Sequence, residues 1–288
     1  MPAASFVQVN GRSVPAARAR VSVFDRGLLY GDGLFETLRA YHGKAFALED
    51  HLARLARSAD FLGIPVPPRP WQRDIEALLR RNRLLCTDAW VRITITRGVA
   101  APGLRPPSRI RPTVIVSAGK VDPSVAKVQQ RGARVALLPF ARHGFLAEHK
   151  VLNYLPGVLG KVMAARHDAF EGVFVDGRGW VTEGTTSNIF IARRKQLFTP
   201  PGSEILPGLT RRTVIELAVA NGLRVSERPL RVDALLDASE AFLTSSLAEI
   251  VPIIAVNTHE IGLGRIGPTT RQLQHLYRQM VDQVLAHR

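Results

Sequence analysis

One cysteine, Cys86, stands in the whole 288-residue chain. An intramolecular disulfide is therefore excluded, and a reducing compartment, the cytoplasm, is the expected setting. No uninterrupted apolar run approaches the ~18 residues a membrane span requires. The opening MPAASFVQVNGRSVP lacks the basic start and apolar core of a secretory signal, so no membrane association is expected. Low-complexity tracts and internal repeats are also missing. With 46% hydrophobic and 22% charged residues, the chain reads as an ordinary folded protein, long enough for two domains at roughly 150 residues each.

Several chemistries lack their ligands. No GxGxxG or GxxxxGK[ST] loop occurs, which leaves dinucleotide and Walker-type phosphate binding unsupported, and no G-x-S-x-G elbow is present. His42, His51, His143, His149 and His167 show no metal-ligand spacing with cysteine or carboxylates, so no metal is expected. The net charge of +15 invites a nucleic-acid reading. The arginines are dispersed, however, and no basic cluster is interleaved with aromatics. A non-enzymatic basic nucleic-acid-binding protein is thus the remote alternative, although the positive field would attract anionic small molecules.

What is present alternates between strand and helix patterns. In the first part, Gly33–Tyr41 reads as a strand, "HGK" as a turn and Ala45–Leu48 as its return. Asp50 is placed to cap a helix with Leu52, Leu55, Ala59 and Leu62 on one stripe, ended by Gly63. "DIEALLRRNRL" is a second amphipathic helix. "AWVRITITRG" and "TVIVSAG" are strands around the Pro/Gly-rich loop Val99–Pro112. The pattern restarts after "VDPSVAKVQQRG". The expected division is a first domain over 1–118, a linker over 119–133 and a second domain over 134–288. In the second domain "RVALLPF" is a strand and "LPGVLGKVMAARHDA" an amphipathic helix. A strand meander follows through residue 200, then a helix with Thr210 at its start and Gly222 past its end, a strand–turn–strand in "AFLTSSLAEIVPIIAV" and a last helix.

Lysine is scarce: of 39 Lys and Arg, six are Lys. One of them, Lys150, sits in the apolar stretch "EHKVLNYLPG". An amine in apolar surroundings shifts toward its neutral, nucleophilic form, whereas arginine cannot be deprotonated in a protein. The plainer reading is a lysine that snorkels to water, as Lys161 does on the following helix. In "WVTEGTTSN", Glu183 ends a strand before a hydroxyl-rich loop containing Thr186, Ser187 and Asn188. It is either an exposed strand-end carboxylate or an acid facing a cationic ring nitrogen. "LPGLTRR" offers a helix N-terminus suited to an anion, with Thr210 as an added hydroxyl or a plain N-cap. "LTSSLAE" offers Ser245 and Ser246, and Arg54 lies off the apolar stripe of its helix as a solvated residue or a counter-ion. A lysine, an acid and a three-part phosphate site together suit pyridoxal phosphate.

The order of "DRGLLYGDGLFETLRAY", "HLARLARSADFLGI", "HKVLNYLPGVLGK", "EGVFVDGRGWVTEGTTSNIFI", "ILPGLTRR" and "LTSSLAEIVP" resembles the class IV, fold-type IV, pyridoxal-phosphate aminotransferases along nearly the whole chain. That family includes D-amino-acid aminotransferases, branched-chain aminotransferases and aminodeoxychorismate lyases. The resemblance implies an α+β fold of two domains with the cofactor between them, and usually a homodimer whose loop after "TRG" reaches the neighbour's site. It makes Lys150 the Schiff-base lysine and acid/base, and Glu183 the partner of the pyridine nitrogen. Arg54, Leu209, Thr210, Ser246 and the Leu247 amide fall at phosphate positions, and Tyr154 near the ring hydroxyl. Activity is implied to be ping-pong transfer of an amino group between an amino acid and a 2-oxo acid.

The branch is set by the substrate pocket. Alternation places Phe35, Thr37 and Arg39 on one strand face, and Trp90 with Arg92 on another. "WVR", Tyr30 and Phe35 resemble branched-chain enzymes. "GTTSN" resembles D-amino-acid aminotransferases, although the Arg-x-His carboxylate trap of their well-known members is absent from the loop. Phe-x-Thr-x-Arg resembles the lyases, whose Arg-Gly-Tyr motif would fall on Pro102-Gly103-Leu104 and does not match. Arg39, Arg92 and Arg105 are the candidate carboxylate clamps. The expectation leans to D-amino acids or broad specificity, with the branched-chain enzyme and the lyase as alternatives.

Overall fold

The computed structural model describes residues 5–140, 144 and 146–286; His143 lies outside them. The chain forms two compact units. One comprises Met1–Val121 with His149–Asn153, the other Asp122–Glu148 with Tyr154–Arg288.

The first unit contains β1 (Phe6–Val9), β2 (Arg12–Pro15), α1 (Arg26–Tyr30), β3 (Gly33–Tyr41), β4 (Lys44–Ala45), α2 (Leu48–Leu62), α3 (Trp71–Arg81), β5 (Ala89–Thr96) and β6 (Thr113–Lys120). Its antiparallel sheet has the order β2-β1-β6-β5-β3-β4. On β3, Leu34, Leu38 and Ala40 point to one face and join Leu55, Ala59, Ile75 and Leu79 of α2 and α3 in the core. Full burial of each large aliphatic there contributes about 1.5–3 kcal/mol. The opposite face of β3 carries Phe35, Thr37 and Arg39, directly across from Thr94, Arg92 and Trp90 of β5. The expected return strand shrinks to Lys44–Ala45, because Ala47 turns left-handed (φ 51°) and the helix begins at Leu48. Asp50 therefore sits inside the first turn, where its charge suits the helix dipole, and is not the cap.

Residues 150–152 return to the N-terminal end of β3. The amide of Phe35 donates to the carbonyl of Lys150 at 2.9 Å, and that of Leu152 to Gly33 at 2.9 Å, with Leu34 bridged to Val151. Backbone pairing thus fixes Lys150 against the strand that bears Phe35.

The second unit begins with α4 (Ser124–Arg131), inside the segment expected as a linker. Gly132 (φ 81°) ends it. There follow β7 (Ala133–Leu138), α5 (Leu155–Arg166), β8 (Glu171–Val175), β9 (Trp180–Gly184), β10 (Asn188–Arg193), β11 (Gln196–Thr199), α6 (Leu209–Ala220), β12 (Arg224–Glu227), β13 (Leu230–Arg231), α7 (Val232–Leu236), β14 (Glu240–Ser245), β15 (Glu249–Val256), β16 (His259–Glu260) and α8 (Pro268–Ala286). The strands form one mixed sheet, β12-β11-β10-β14-β15-β7-β8-β9-β13, with β16 on β15.

Helix α5 departs from the amphipathic expectation. Its buried residues are Gly157, Gly160 and Ala164, while Leu155, Val158, Leu159 and Val162 are exposed. The small residues bring the helix close to the sheet: a Cβ on Gly160 would meet the side chains of Thr185 and Leu138. Large residues cannot occupy that face, so they point away. Among the described residues no helix is long and apolar enough to cross a membrane.

Candidate active site

In the first unit the site residues gather on both faces of β3. On the face toward α2, Glu36 replaces an apolar residue in the alternating run Leu34, Leu38, Ala40. A fully buried carboxylate needs partners, and α2 supplies two. Arg54 donates from Nε to Oε1 and from a terminal nitrogen to Oε2, each at 2.7 Å. His51 Nδ1 stands 2.8 Å from Oε2. Since an ionised carboxylate only accepts, Nδ1 carries the hydrogen. Burial would raise the Glu36 pKa, but the Arg54 charge and hydrogen bonds, with His51, bring it down to about 2. Burial lowers the His51 pKa, as do the charges of Arg54 and Lys150, against the opposing pull of Glu36. Arg54, read from sequence as off the apolar stripe, is buried at 3% exposure. The pair with Glu36 explains how a guanidinium is tolerated there.

On the other face, two cations approach the ring of Phe35. The Arg92 guanidinium is 3.6 Å from its centroid, and Lys150 Nζ is 4.6 Å away. Arg92 also donates from Nε to Thr94 Oγ1 at 3.3 Å. The other clamp candidates are placed differently. Arg39 is buried and bound to Asp88 at 2.5 Å, and Arg105 is exposed in the loop after β5. Trp90 lies over Gly119, its cross-strand neighbour on β6. The Tyr30 hydroxyl accepts from the Gly103 amide at 2.8 Å, while Arg26 donates to the carbonyls of Gly103 and Leu104. Tyr30 therefore anchors the loop that carries Arg105. Beside Lys150, His149 stacks on Phe61 with centroids 3.9 Å apart.

In the second unit, Glu183 is buried at 5% exposure on β9, and its Oε2 accepts from the Leu206 amide at 3.0 Å. Asn188, at the start of β10, donates to the Leu206 carbonyl at 2.9 Å. Both ends of the 184–187 turn are thereby tied to the segment leading into α6. Gly208 caps α6, where a Cβ would collide with Asn188 Oδ1. Thr210 is accordingly the second helical residue rather than the cap, and both it and Leu209 are buried. The first amides of α6 have no carbonyl partner within the helix by construction, which makes this end receptive to an anion. Ser245 ends β14 and Ser246 and Leu247 follow in the turn, all three half-buried, and the Ser245 hydroxyl accepts from the Ala248 amide at 3.2 Å. Tyr154 is the residue before α5 and packs over Gly157.

The hydroxyls of Thr186 and Ser187 turn back into their own unit. They donate to Glu171 Oε2 at 2.9 and 3.3 Å, and Thr185 donates to Oε1 of the same carboxylate. Lys161 is not merely solvated: its Nζ lies 3.0 Å from Glu171 Oε1 and donates to the Phe170 carbonyl.

The family profile described as "Amino-transferase class IV" matches residues 33–256. The chain belongs to the class IV aminotransferase family. As a class IV aminotransferase it is 38% identical over 277 residues to the putative branched-chain-amino-acid aminotransferase of Methanocaldococcus jannaschii, covering 95% of this chain and 96% of that one. It is 33% identical to the D-alanine aminotransferase of Bacillus licheniformis, over 93% and 94% of the two chains. To the aminodeoxychorismate lyase of Bacillus subtilis it is 32% identical, over 97% and 96%. Among solved structures, a branched-chain amino acid aminotransferase with pyridoxamine 5'-phosphate superposes with a TM-score of 0.88 at 30% identity, covering 96% of this chain and 93% of that one. The two-sheet α+β architecture of this class IV aminotransferase is thus that of the fold-type IV enzymes.

Sequence reasoning missed Glu36, His51 and Glu171. A signal for the first two existed: a carboxylate at an inward position of β3, and a His and Arg three residues apart on one helix face. For Glu171 no local signal existed, because its three hydroxyl partners follow 14 to 16 residues later.

Proposed function

We propose that this chain is a pyridoxal-phosphate-dependent aminotransferase that moves an amino group between an amino acid and a 2-oxo acid, acting on D-amino acids or with broad specificity. The observation that carries this reading is the approach of both the Arg92 guanidinium and the Lys150 amine to the Phe35 ring. A carboxylate-binding cation and a nucleophilic amine share one aromatic residue within one unit.

The donor set fits the cofactor. Glu183 is a buried carboxylate suited to a protonated ring nitrogen. The N-terminus of α6 with buried Thr210 suits a phosphate, as does the guanidinium of Arg54, oriented by Glu36. In this assignment Lys150 holds the cofactor, and Arg54, Leu209, Thr210, Ser245, Ser246 and the Leu247 amide receive its phosphate. Tyr154, Thr186, Ser187 and Asn188 border the ring. When bound, pyridoxal phosphate supplies an electron sink for the substrate α-carbon. Lys150, as the neutral amine, removes the α-proton and returns it, a task open to lysine and closed to arginine. Glu183 keeps the proton on the ring nitrogen.

Arg92 is assigned to the substrate carboxylate because its guanidinium lies over the Phe35 ring that the Lys150 amine also approaches. Phe35, with Thr37 and Trp90 on the same face, makes the pocket wall. The exposed apolar residues of α5, together with Val21, Val23, Phe24 and Leu28 of the first unit, support a homodimer. The lone exposed thiol of Cys86 suits the cytoplasm.

A second reading, transamination of branched-chain L-amino acids, is favoured by Trp90-Val91-Arg92 and by the M. jannaschii relative. The deciding experiment is the visible spectrum of the purified protein before and after separate additions of D-alanine, L-leucine and aminodeoxychorismate. Bleaching by D-alanine supports the first reading, and bleaching by L-leucine alone supports the second. Consumption of aminodeoxychorismate with release of pyruvate and no need of an acceptor would make the protein a lyase. A colourless preparation that takes up no cofactor, and binds nucleic acid in a salt-dependent manner, would overturn all three.

A further inference from the structure

We infer that Glu171 is a positioning residue for the cofactor-binding face of the second unit, on the reading above that Glu183 and the N-terminus of α6 serve pyridoxal phosphate. Glu171 is 2% exposed. It collects three consecutive hydroxyls, those of Thr185, Thr186 and Ser187. Lys161 balances its charge from 3.0 Å.

The geometry gives this cluster a reach beyond its own contacts. The turn it grips joins Glu183 to Asn188, and both of these bond to Leu206, one through the amide and one through the carbonyl. Leu206 leads through the tight Gly208 into the first turn of α6. A shift of the turn therefore moves the ring-nitrogen acid and the phosphate end together. The Thr185 amide, bonded to the Gly172 carbonyl at 3.0 Å, adds a backbone tie between the turn and β8.

The cluster also fixes the polarity of the turn. An ionised carboxylate only accepts, so each of the three hydroxyls spends its single proton on Glu171. The remaining lone pairs of Thr186 and Ser187 can only accept. These two side chains can meet an ammonium or N–H group of a ligand, and they cannot donate to a phosphate or carboxylate. Recognition of those anions is left to backbone amides and arginines.

The test uses E171Q, T185V and the double variant, each prepared as apoprotein and titrated with pyridoxal phosphate. Thr185→Val keeps the shape of a buried side chain and removes only the hydroxyl. Each single variant should weaken cofactor affinity roughly tenfold. The double variant should be no weaker than E171Q, because both changes break the same link. The pH midpoint of the bound cofactor's visible band should shift in E171Q, while the thermal midpoints of the apoproteins stay within about 4 °C of the parent. Affinity and band unchanged in T185V would overturn the inference even if E171Q failed to fold. So would affinity losses that merely track a fall in apoprotein stability. If the parent apoprotein itself takes up no pyridoxal phosphate, the proposed function fails instead, and the two failures are told apart by that control.

Discussion

Arg54 lies buried against Glu36, two of its nitrogens each 2.7 Å from a carboxylate oxygen. The pair spans helix α2 and strand β3 behind Phe35. Removing the carboxylate takes two charge-assisted hydrogen bonds from a buried guanidinium. Glu36→Ala should therefore destabilise the protein by about 3–5 kcal/mol, read as a lower urea midpoint at unchanged slope. Glu36→Ala with Arg54→Met should recover part of the loss, since the buried charge is then gone.

The same pair sets an acid limit. Glu36 titrates at about 2 in the folded protein against 4.5 ordinarily. Above pH 4.5 it is ionised in both states and its full contribution is present. As pH falls below 4.5 the unfolded chain takes up the proton first, so stability drains away until pH reaches about 2. The amount is on the order of 3 kcal/mol. Urea denaturation between pH 6 and 2.5 should show this loss in the parent and a shallower one in Glu36→Gln.

Lys150→Arg keeps the charge and most of the length, but the group cannot lose a proton. Transamination should fall to background, and borohydride treatment should no longer attach the cofactor to the peptide 144–161. Attachment of the cofactor to another lysine would reassign the role.

Glu183→Gln retains a hydrogen-bonding side chain against the Leu206 amide and removes the charge. The half-reaction with amino acid, followed by stopped-flow absorbance, should slow by roughly a hundredfold or more. An unchanged half-reaction would remove Glu183 from the proposed role.

Arg92→Ala should raise the KM for the amino acid and lower kcat/KM by about thirtyfold, the scale of a charge-assisted bidentate contact. Arg39→Ala should act differently. It strips Asp88 of its partner and should appear mainly in stability. Equal kinetic losses in the two variants would move the clamp away from Arg92.

Local pattern carried most of the longer elements from β3 onward, because apolar periodicity and Gly punctuation are local properties of the chain, while the two-domain α+β fold was implied by the resemblance of the ordered motifs to the class IV aminotransferases. Phe35, Thr37 and Arg39 fell on one face of β3 by alternation, and Trp90 and Arg92 on the matching face of β5. Lys150 and Glu183 stood out by residue type against their surroundings. Other features were not local. The left-handed turn at Ala47 moved a helix start from residue 51 to Leu48 and turned an expected cap, Asp50, into a first-turn residue. The exposed apolar face of α5 followed from glycines that the sheet requires to be small, which no helical periodicity reveals.

Which chemistry the chain can perform was thus written in residue types and their order: an amine where a guanidinium would be inert, a strand-end acid, a Gly turn before a helix. Which arginine is engaged and which carboxylates hold the frame was decided only by tertiary packing. Asp88 claims Arg39 from 49 residues away and Glu36 claims Arg54 from 18, while Glu171 gathers a turn 14 to 16 residues distant. Burial forces every such charge to find a partner, and the partner is whatever the fold brings within about 3 Å, a choice that depends on sheet register and helix docking rather than on neighbouring residues.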